Sequence, residues 1–207
     1  QTGATTATLA GHKGQISALA LSPDGATVVT GALDTTARIW DAKTGAVRAT
    51  LEGHDRGATA VAISSDGATV ATAANDGLVR LWDATTGAEK NKLEGHSKKV
   101  VQIAFSRDGK KLATASWDGT ARLWDLASGT APRVLQGGEG WVTVVAFSPD
   151  DSRVAMTTGE EARLYDTATG TLLHQLEGHE QMVSALTFSP DGTLLATASL
   201  DHTLRTW

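Results

Sequence analysis

One motif recurs five times along this chain at an almost constant spacing, and this repeat constrains the fold more than any other feature. Each copy begins with a Gly-His-like pair and ends, about thirty residues later, with an aromatic residue that is usually Trp followed by Asp. The pairs begin at Gly11, Gly53, Gly95, Gly137 and Gly178. The aromatic residues are Trp40, Trp82, Trp124, Tyr165 and Trp207. The steps of 42, 42, 42 and 41 residues predict an array of small units, none of which buries its apolar face alone.

The composition is typical of a β protein that is soluble in water. Hydrophobic residues make up 41% and charged residues 20%, and no apolar run approaches the ~18 residues that a membrane span needs. The chain has no cysteine, which excludes disulfides and thiolate chemistry. Its net charge of -5 gives no reason to expect nucleic acid or an anionic membrane as partner. No secretory signal pattern opens the chain, so the default expectation is a cytoplasmic protein.

Each unit divides into four short strands, and the third unit shows them most clearly. Its pattern predicts an outer strand from Glu89 to Leu93, an apolar strand from Val100 to Ser106, and two further strands from Lys111 to Ser116 and from Thr120 to Trp124. A turn of the Ser-Pro-Asp-Gly type recurs at 22–25, 64–67, 106–109, 148–151 and 189–192. Proline presets φ, aspartate tolerates the third position and glycine supplies a positive φ, so these segments are predicted hairpin turns. Their aspartates stand singly, which is not a calcium-binding arrangement.

Together, the Gly-His pair, the Ser-Pro-Asp-Gly turn, a Thr-x-x-x-Asp segment and Trp-Asp make the chain resemble a WD-repeat β-propeller. The resemblance covers essentially all 207 residues. It implies an all-β fold with five four-stranded antiparallel blades in a single domain over residues 1–207. The repeat units are expected at about 1–41, 42–83, 84–125, 126–166 and 167–207. The family usually provides a scaffold for protein partners, so the resemblance implies a protein that is not an enzyme and uses neither cofactor nor metal.

The number of blades is a separate question. Residues 1–9 can supply an outermost strand, so that pairing of the two chain ends would complete five blades. The family most often has seven blades, however, and Trp207 lacks the Asp that usually follows. These features favour an open arc, or part of a larger ring, over a closed five-bladed ring. An open arc would leave unpaired strand edges, which predicts self-assembly as a further property.

A histidine, a threonine, an aspartate and a tryptophan recur in register, and they could be mistaken for a hydrolase triad. Indole only donates, a hydroxyl accepts and donates, and imidazole can join the hydroxyl to a carboxylate, so the four groups can satisfy one another inside a blade. Because four copies of one active site would be unusual, we interpret the groups as structural. By resemblance the sets are His12, Thr30, Asp34 and Trp40; His54, Thr72, Asp76 and Trp82; His96, Thr114, Asp118 and Trp124; and His179, Thr197, Asp201 and Trp207.

The fourth unit loses all four members of this set together. Gly138 and Met156 replace the histidine and the threonine, Tyr165 replaces the tryptophan, and a one-residue deletion around Gly159 and Glu160 removes the aspartate. This concerted loss indicates that the four groups act as one unit. It predicts a looser, more mobile fourth blade, because removing one partner of a buried network strands the others.

An arginine stands two residues before every aromatic residue, including the one in the degenerate fourth unit. The period of a strand places each arginine on the same face as its aromatic neighbour. A role shared by all units is structural, and it is favoured over a ring of arginines that reads a phosphate ligand. The residues are Arg38, Arg80, Arg122, Arg163 and Arg205.

Function is expected where the units differ, because their shared positions are explained by folding. Family resemblance points to one rim of the blades, at the residues three and five after the histidine and the residue before the turn aspartate. The candidate partner-binding residues there are Gln15, Leu33, Thr59, Asn75, Lys99, Trp117, Trp141, Thr143, Met182 and Leu200. Trp117 and Trp141 belong to neighbouring units, and with Met182 and Leu200 they predict an exposed apolar arc of the kind that marks an interface. The alternative is that one or both tryptophans pack between blades.

The leading hypothesis is a non-catalytic module that docks a peptide or protein segment on this rim. A second hypothesis is a small-molecule or glycan site at the mouth of the channel, which would require polar groups to converge on a pocket. A third is a purely architectural arc of a larger propeller.

Overall fold

All regular elements in the structure, a computed structural model that describes residues 4–207, are β-strands. Each strand is short and ends at a turn rich in Gly, Asp, Ser or Thr, as the repeat pattern predicts. Contacts divide the chain into two compact units, one extending to Gly95 and the other running from His96 to Trp207. The described residues contain no helix that is long and apolar enough to cross a membrane.

The first compact unit contains two four-stranded antiparallel sheets. Strands that follow one another in sequence are neighbours in each sheet. The first sheet consists of β1 (Ile16–Leu21), β2 (Thr27–Ala32), β3 (Ala37–Asp41) and β4 (Val47–Leu51). The second consists of β5 (Ala58–Ile63), β6 (Thr69–Ala74), β7 (Val79–Asp83) and β8 (Glu89–Leu93).

The second compact unit contains three further sheets with the same antiparallel order. The third sheet consists of β9 (Val100–Phe105), β10 (Lys111–Ser116), β11 (Thr120–Asp125) and β12 (Arg133–Gln136). The fourth consists of β13 (Val142–Phe147), β14 (Arg153–Thr158), β15 (Glu161–Asp166) and β16 (Leu172–Leu176). Within residues 4–207 the fifth has three strands, β17 (Val183–Phe188), β18 (Leu195–Ser199) and β19 (Leu204–Thr206).

An outermost strand was expected from residues 1–9, and the structure describes residues 4–9 of this segment. Residues 1–3 lie outside the described residues, and no strand is assigned to residues 4–9. This segment does lie against the turn at Gly45, where a Cβ atom would come within 3.0 Å of the Thr8 carbonyl oxygen. Outer strands lie in the same way against the next sheet, since Ala49 approaches Gly87 and Arg133 approaches Gly170. Residues 7–8 therefore lie against this turn as the outer strands lie against the corresponding turns of other sheets.

The register between the second and third strands is the same in all five sheets, including the degenerate fourth one. In four sheets a threonine of the second strand lies opposite the arginine of the third strand. In the fourth sheet Met156 takes this place opposite Arg163. The loss of the polar residues has therefore left the backbone arrangement intact. The conserved pairs are Thr30–Arg38, Thr72–Arg80, Thr114–Arg122 and Thr197–Arg205.

The predicted hairpin turns are confirmed. Their glycines have φ between 70° and 72° at positions 25, 67, 109 and 192, where only glycine is free of strain. Asp151 takes the glycine position in the fourth sheet with φ 59°. Its carboxylate accepts hydrogen bonds from the backbone N–H groups of Arg107 (2.7 Å) and Asp108 (2.9 Å). The strained residue thus links the turns of the third and fourth sheets.

The sheets within each compact unit pack face to face through apolar side chains. In the first unit, Leu51 of the outer strand β4 and Ile39 of β3 are buried in one cluster with Val70 and Trp82 of the second sheet. In the second unit, Leu135 of the outer strand β12 is buried with Tyr165 of the fourth sheet. Each such side chain contributes about 1.5–3 kcal/mol when it is fully buried. Because neighbouring sheets share these apolar clusters, a single repeat by itself would leave its apolar face exposed to water.

Candidate partner-binding rim

The polar network predicted inside the blades is present, and the third sheet shows its geometry. The Trp124 indole N–H donates to Thr114 Oγ1 over 3.1 Å, and Thr114 Oγ1 lies 2.7 Å from His96 Nε2. On the other side of the ring, His96 Nδ1 lies 2.7 Å from Asp118 Oδ2. The His96 and Asp118 side chains are 1% and 6% exposed. Residues separated by up to 28 positions in the chain therefore form one buried hydrogen-bonded chain.

Hydrogen-bond capacity assigns the protons in this network. Because indole can only donate, the Thr114 hydroxyl accepts from it and donates to His96 Nε2, which leaves Nδ1–H to donate to Asp118. Burial lowers the pKa of His96 and so favours this neutral ring. Burial alone would raise the pKa of Asp118, but hydrogen bonds from Thr120 and His96 hold that pKa below its ordinary value of 3.8. The Thr114 hydroxyl is fully buried and occupied, so it is not placed to attack a substrate.

Three other sheets contain the same network. Three distances describe each copy: histidine Nδ1 to the aspartate, histidine Nε2 to the threonine, and the tryptophan indole nitrogen to the threonine. In that order they are 2.9, 2.7 and 2.8 Å for His12. For His54 they are 2.9, 2.8 and 2.9 Å. They are 2.8, 2.9 and 2.9 Å for His179. In each case the aspartate also accepts a hydrogen bond from the backbone N–H after the histidine. The network thus fastens the loop before the first strand to the turn after the second strand.

The fourth sheet replaces this network with a different set of contacts. Met156 is fully buried, and the Tyr165 hydroxyl donates to the Gln136 carbonyl oxygen over 2.6 Å. Arg163 donates to the same carbonyl oxygen over 3.0 Å and pairs with Glu161 at 2.7 Å. Since all four members changed together, no buried polar partner is stranded. Whether this blade is more mobile than the others remains a prediction.

Three of the arginines that precede the aromatic residues pack against the glycine of a Gly-His pair, namely Arg38 on Gly11, Arg80 on Gly53 and Arg205 on Gly178. Arg163 packs instead on Gly138, which stands in the histidine position. Arg80 donates to the Gly53 carbonyl oxygen over 2.6 Å and pairs with Glu89 at 2.6 Å. A Cβ atom at Gly11 would collide with the guanidinium group of Arg38. These contacts support the structural interpretation of the arginines. They also explain why glycine precedes the histidine, a link that the sequence did not reveal.

The rim positions selected from the sequence are brought together in pairs by backbone hydrogen bonds. In four sheets the residue before the turn aspartate donates its N–H to the carbonyl oxygen of the residue three after the histidine. The pairs are Leu33 with Gln15 (2.9 Å), Asn75 with Gly57 (3.1 Å), Trp117 with Lys99 (3.1 Å) and Leu200 with Met182 (3.0 Å). The fourth sheet has no residue for such a pair because its turn is shorter, and Gly159 instead accepts from Val183 N–H over 2.8 Å.

The candidate residues of the first compact unit differ in their freedom to meet a partner. Leu33 is 49% exposed and Gln15 is exposed. Thr59 donates its hydroxyl hydrogen to the Ala73 carbonyl oxygen over 3.1 Å, and the Asn75 amide donates to the Gly57 carbonyl oxygen over 3.3 Å. The side chains of Thr59 and Asn75 therefore already serve internal hydrogen bonds.

Two tryptophans form the most distinctive feature of the rim of the second unit. The rings of Trp117 and Trp141 are stacked, with centroids 3.9 Å apart and planes 2° from parallel. The Lys99 ammonium nitrogen lies 3.1 Å from the centroid of the Trp117 ring. Trp141 is 48% exposed, while Trp117 is half-buried. The two rings therefore pack on one another, and Trp141 still presents aromatic surface to solvent.

A hollow of about 310 Å³ adjoins this stack. It is lined by Gly140, Trp141, Gly159, Glu160 and Met182. Met182 is 38% exposed, and Leu200, which is tied to it by the backbone hydrogen bond, is 51% exposed. The Thr143 hydroxyl instead lies 2.9 Å from the Thr157 hydroxyl within the fourth sheet, so Thr143 is not part of the exposed cluster. In the part of the chain that the structure describes, no three His, Cys, Asp or Glu side chains are grouped so as to hold a metal ion.

Comparison with known families agrees with this geometry. The chain matches the family WD domain, G-beta repeat over residues 3–41, 45–83, 87–125 and 170–207. The chain therefore belongs to this family of β-propeller repeats, whose domains generally act as scaffolds for protein interactions and are typically not enzymes. The matched segments leave out residues 126–169, which include three strands of the degenerate fourth sheet, β13, β14 and β15. No curated protein matched the chain in a sequence comparison.

Proposed function

We propose that this chain docks a peptide or protein segment on the rim of its second compact unit, at an apolar rim patch formed by Trp117, Trp141, Met182 and Leu200. The observation that carries the proposal is the stacked pair of tryptophans, of which one is half exposed. Leaving such a large aromatic surface in water is unfavourable by about 25 cal/mol per Å² of apolar area. A partner that covers it would recover this free energy.

The composition of the patch also supports a protein partner. Interface hot spots are enriched in tryptophan, and a surrounding ring of less important contacts excludes water from them. Met182 is a flexible, polarisable side chain that adapts to different partner surfaces. We assign Lys99 a supporting role, since its ammonium group already covers Trp117. Gln15 and Leu33 are candidate contacts on the first compact unit, whereas Thr59, Asn75 and Thr143 are expected to act through the backbone that they hold.

A small-molecule or glycan site is less well supported by the rim. The hollow beside Trp141 has one charged side chain, Glu160, and is otherwise lined by glycine, tryptophan and methionine. A sugar or a small polar ligand would need several convergent polar groups to fix its orientation. A purely architectural role would leave the exposed tryptophan without a purpose.

The test uses selection from a display library of random linear peptides on the wild-type protein, followed by affinity measurement for the enriched peptides. Trp141→Ala is expected to weaken their binding by about thirtyfold, since truncating an interface hot spot costs about 2 kcal/mol. Leu172→Ala is the matched control, because Leu172 lies on the outer strand β16 and is 41% exposed. Circular dichroism would establish that both variants are folded. Peptides that bind Trp141→Ala as tightly as the wild type would overturn the proposal.

Self-association through a sheet edge is a second candidate. Among the described strands β19 pairs with β18 alone, so its other edge presents backbone groups that a further strand could use. Leu204 on β19 and Leu19 on β1 are 66% and 69% exposed. Measurement of the solution mass over a range of concentrations tests this candidate. A constant mass equal to the 21.4 kDa of the single chain would contradict it.

A further inference from the structure

The rim of the second compact unit carries a layered arrangement of a cation and two aromatic rings. Lys99 Nζ and the Trp141 ring approach Trp117 to 3.1 and 3.9 Å from its centroid. Two groups this close to one ring cannot share a face, so they lie on opposite faces of Trp117. The order of the stack is therefore Lys99, Trp117, Trp141. The negative face of an aromatic ring attracts a cation, and at one end of this stack the attraction is already used.

The other end of the stack is open. Trp141, at the end of the stack away from Lys99, is 48% exposed and lines the hollow of about 310 Å³, which Trp117 does not line. Glu160 and Met182 lie in the same hollow. A carboxylate beside the open face of an indole ring is an arrangement that attracts a positively charged group and repels an anion.

The carboxylate of Glu160 has no cationic partner within residues 4–207, whereas the neighbouring Glu161 is paired with Arg163 at 2.7 Å. Glu160 is exposed and also borders an adjoining hollow of about 630 Å³. Glu139, Glu177 and the paired Glu161 and Arg163 line this hollow as well, so its carboxylates outnumber its one guanidinium group. The open end of the stack therefore lies in a region of negative charge. A partner group with a positive charge would be attracted toward it.

The degenerate fourth repeat creates the space for such a group. Its turn between β14 and β15 consists of Gly159 and Glu160, whereas the corresponding turn has three residues in the third sheet and four in each of the other sheets. Gly140 and Gly159 have φ of 111° and 53° and bring no side chains into the hollow. In the third sheet the corresponding place is taken by Trp117, which pairs with Lys99 through its backbone. The loss of the buried network in this repeat is thus accompanied by a gain of space beside Trp141.

We infer that the segment that docks on the rim carries an arginine side chain, whose guanidinium group stacks on the open face of Trp141 and pairs with Glu160. This inference rests on the proposed function and names the chemistry of its partner. Arginine fits better than lysine because its planar guanidinium can stack on the ring and still present a fork of donors to the carboxylate. A hollow of about 310 Å³ is at the lower end of the range for ligand pockets and suits one side chain.

The experiment starts from peptides that bind the wild-type protein and lose affinity on Trp141→Ala. The arginine of each peptide is replaced by citrulline, which keeps the planar shape but has no charge, and dissociation constants are measured by calorimetry. On the wild-type protein, citrulline is expected to weaken binding by about tenfold. On Glu160→Gln the difference between arginine and citrulline should shrink markedly, whereas on Glu180→Gln it should stay at the wild-type value. Glu180 is the matched control, since it is an exposed carboxylate that borders neither hollow.

The outcomes separate this inference from the function on which it rests. Peptides that depend on Trp141 but share no basic residue would overturn the inference and leave rim docking intact. Equal affinity of the arginine and citrulline peptides for the wild-type protein would have the same meaning. An arginine preference that survives unchanged in Glu160→Gln would exclude the proposed pairing. If no peptide depends on Trp141, both the docking proposal and the inference fail.

Discussion

Replacing Thr114 with valine preserves the shape of the side chain but removes the hydroxyl at the centre of the network in the third sheet. The Trp124 indole N–H then loses its acceptor, and His96 Nε2 loses its donor. Thr114 is fully buried and Trp124 is 5% exposed, so water cannot take over either role. Leaving a buried polar group unsatisfied costs about 1–3 kcal/mol. With two such groups, and a small gain from the added methyl group, the expected loss is about 2–4 kcal/mol.

A loss of this size is a large part of the total, because natural domains are stable by only about 5–15 kcal/mol. Amide hydrogen exchange in β10 and β11 is a suitable assay, since it reports the stability of the third sheet even when the whole chain does not unfold in one step. Urea unfolding followed by circular dichroism provides the global value. Thr187→Val is the control, because Thr187 is exposed on β17 and donates only a long hydrogen bond of 3.4 Å.

A double-mutant cycle with Trp124→Phe tests the mechanism rather than the size of the effect. If the destabilisation arises from the unsatisfied indole N–H, Thr114→Val should lower the free energy of unfolding less when Trp124 is already phenylalanine. The expected difference is about 1 kcal/mol or more. The cavity left by the smaller ring is common to both arms and cancels. The network would be refuted as a source of stability if Thr114→Val lowered the free energy of unfolding no more than Thr187→Val does. Strict additivity of the effects of Thr114→Val and Trp124→Phe would refute it as well.

Three further predictions follow from the same contacts. The pKa of His96 is lowered in the fold, so the unfolded chain takes up a proton at a higher pH than the folded chain does. The free energy of unfolding measured in urea should therefore fall as pH decreases through 6.5, and a value that does not change with pH would contradict this. Gly137→Ala should cost about 2–4 kcal/mol in thermal or urea unfolding because its Cβ would lie 2.5 Å from a backbone oxygen, whereas the unobstructed Gly129→Ala should cost about 1 kcal/mol. Amides of residues 150–165 should exchange faster than those of 108–124, since the fourth repeat lacks the histidine–aspartate tie; equal protection would count against this.

Much of the fold could be predicted from local patterns. The four-strand division of the third repeat was correct to within one residue, with β9 ending at Phe105 because Ser106 begins the turn and donates its N–H to the Lys111 carbonyl oxygen. Glycines and aspartates in the turns predict the backbone conformation there, because few other residues tolerate it. The network of His96, Thr114, Asp118 and Trp124 was predictable for a different reason, since a constant spacing across repeats places the same side chains in the same register.

The candidate site was predicted less completely. The sequence indicated that Trp117 and Trp141 lie outside the recurring tryptophan position, and the rim location followed from family resemblance. Their parallel stacking, the position of Lys99 over Trp117, and the internal hydrogen bond of Thr143 could not be derived in this way. These contacts join different strands or neighbouring sheets, and their geometry depends on side-chain torsions that sequence spacing does not specify.

The sequence by itself determined the repeat, its strands and turns, and the residues that satisfy one another inside each blade, because those depend on backbone conformation and on regular spacing. Only the tertiary structure decided which exposed groups meet on the rim and that the shortened turn of the fourth repeat leaves an open hollow beside Trp141. It also supplied the partners of Arg80 and Arg163. The physical reason is that hydrogen-bonded strands repeat a local rule, whereas a surface site depends on the packing of side chains from segments that are distant in the chain.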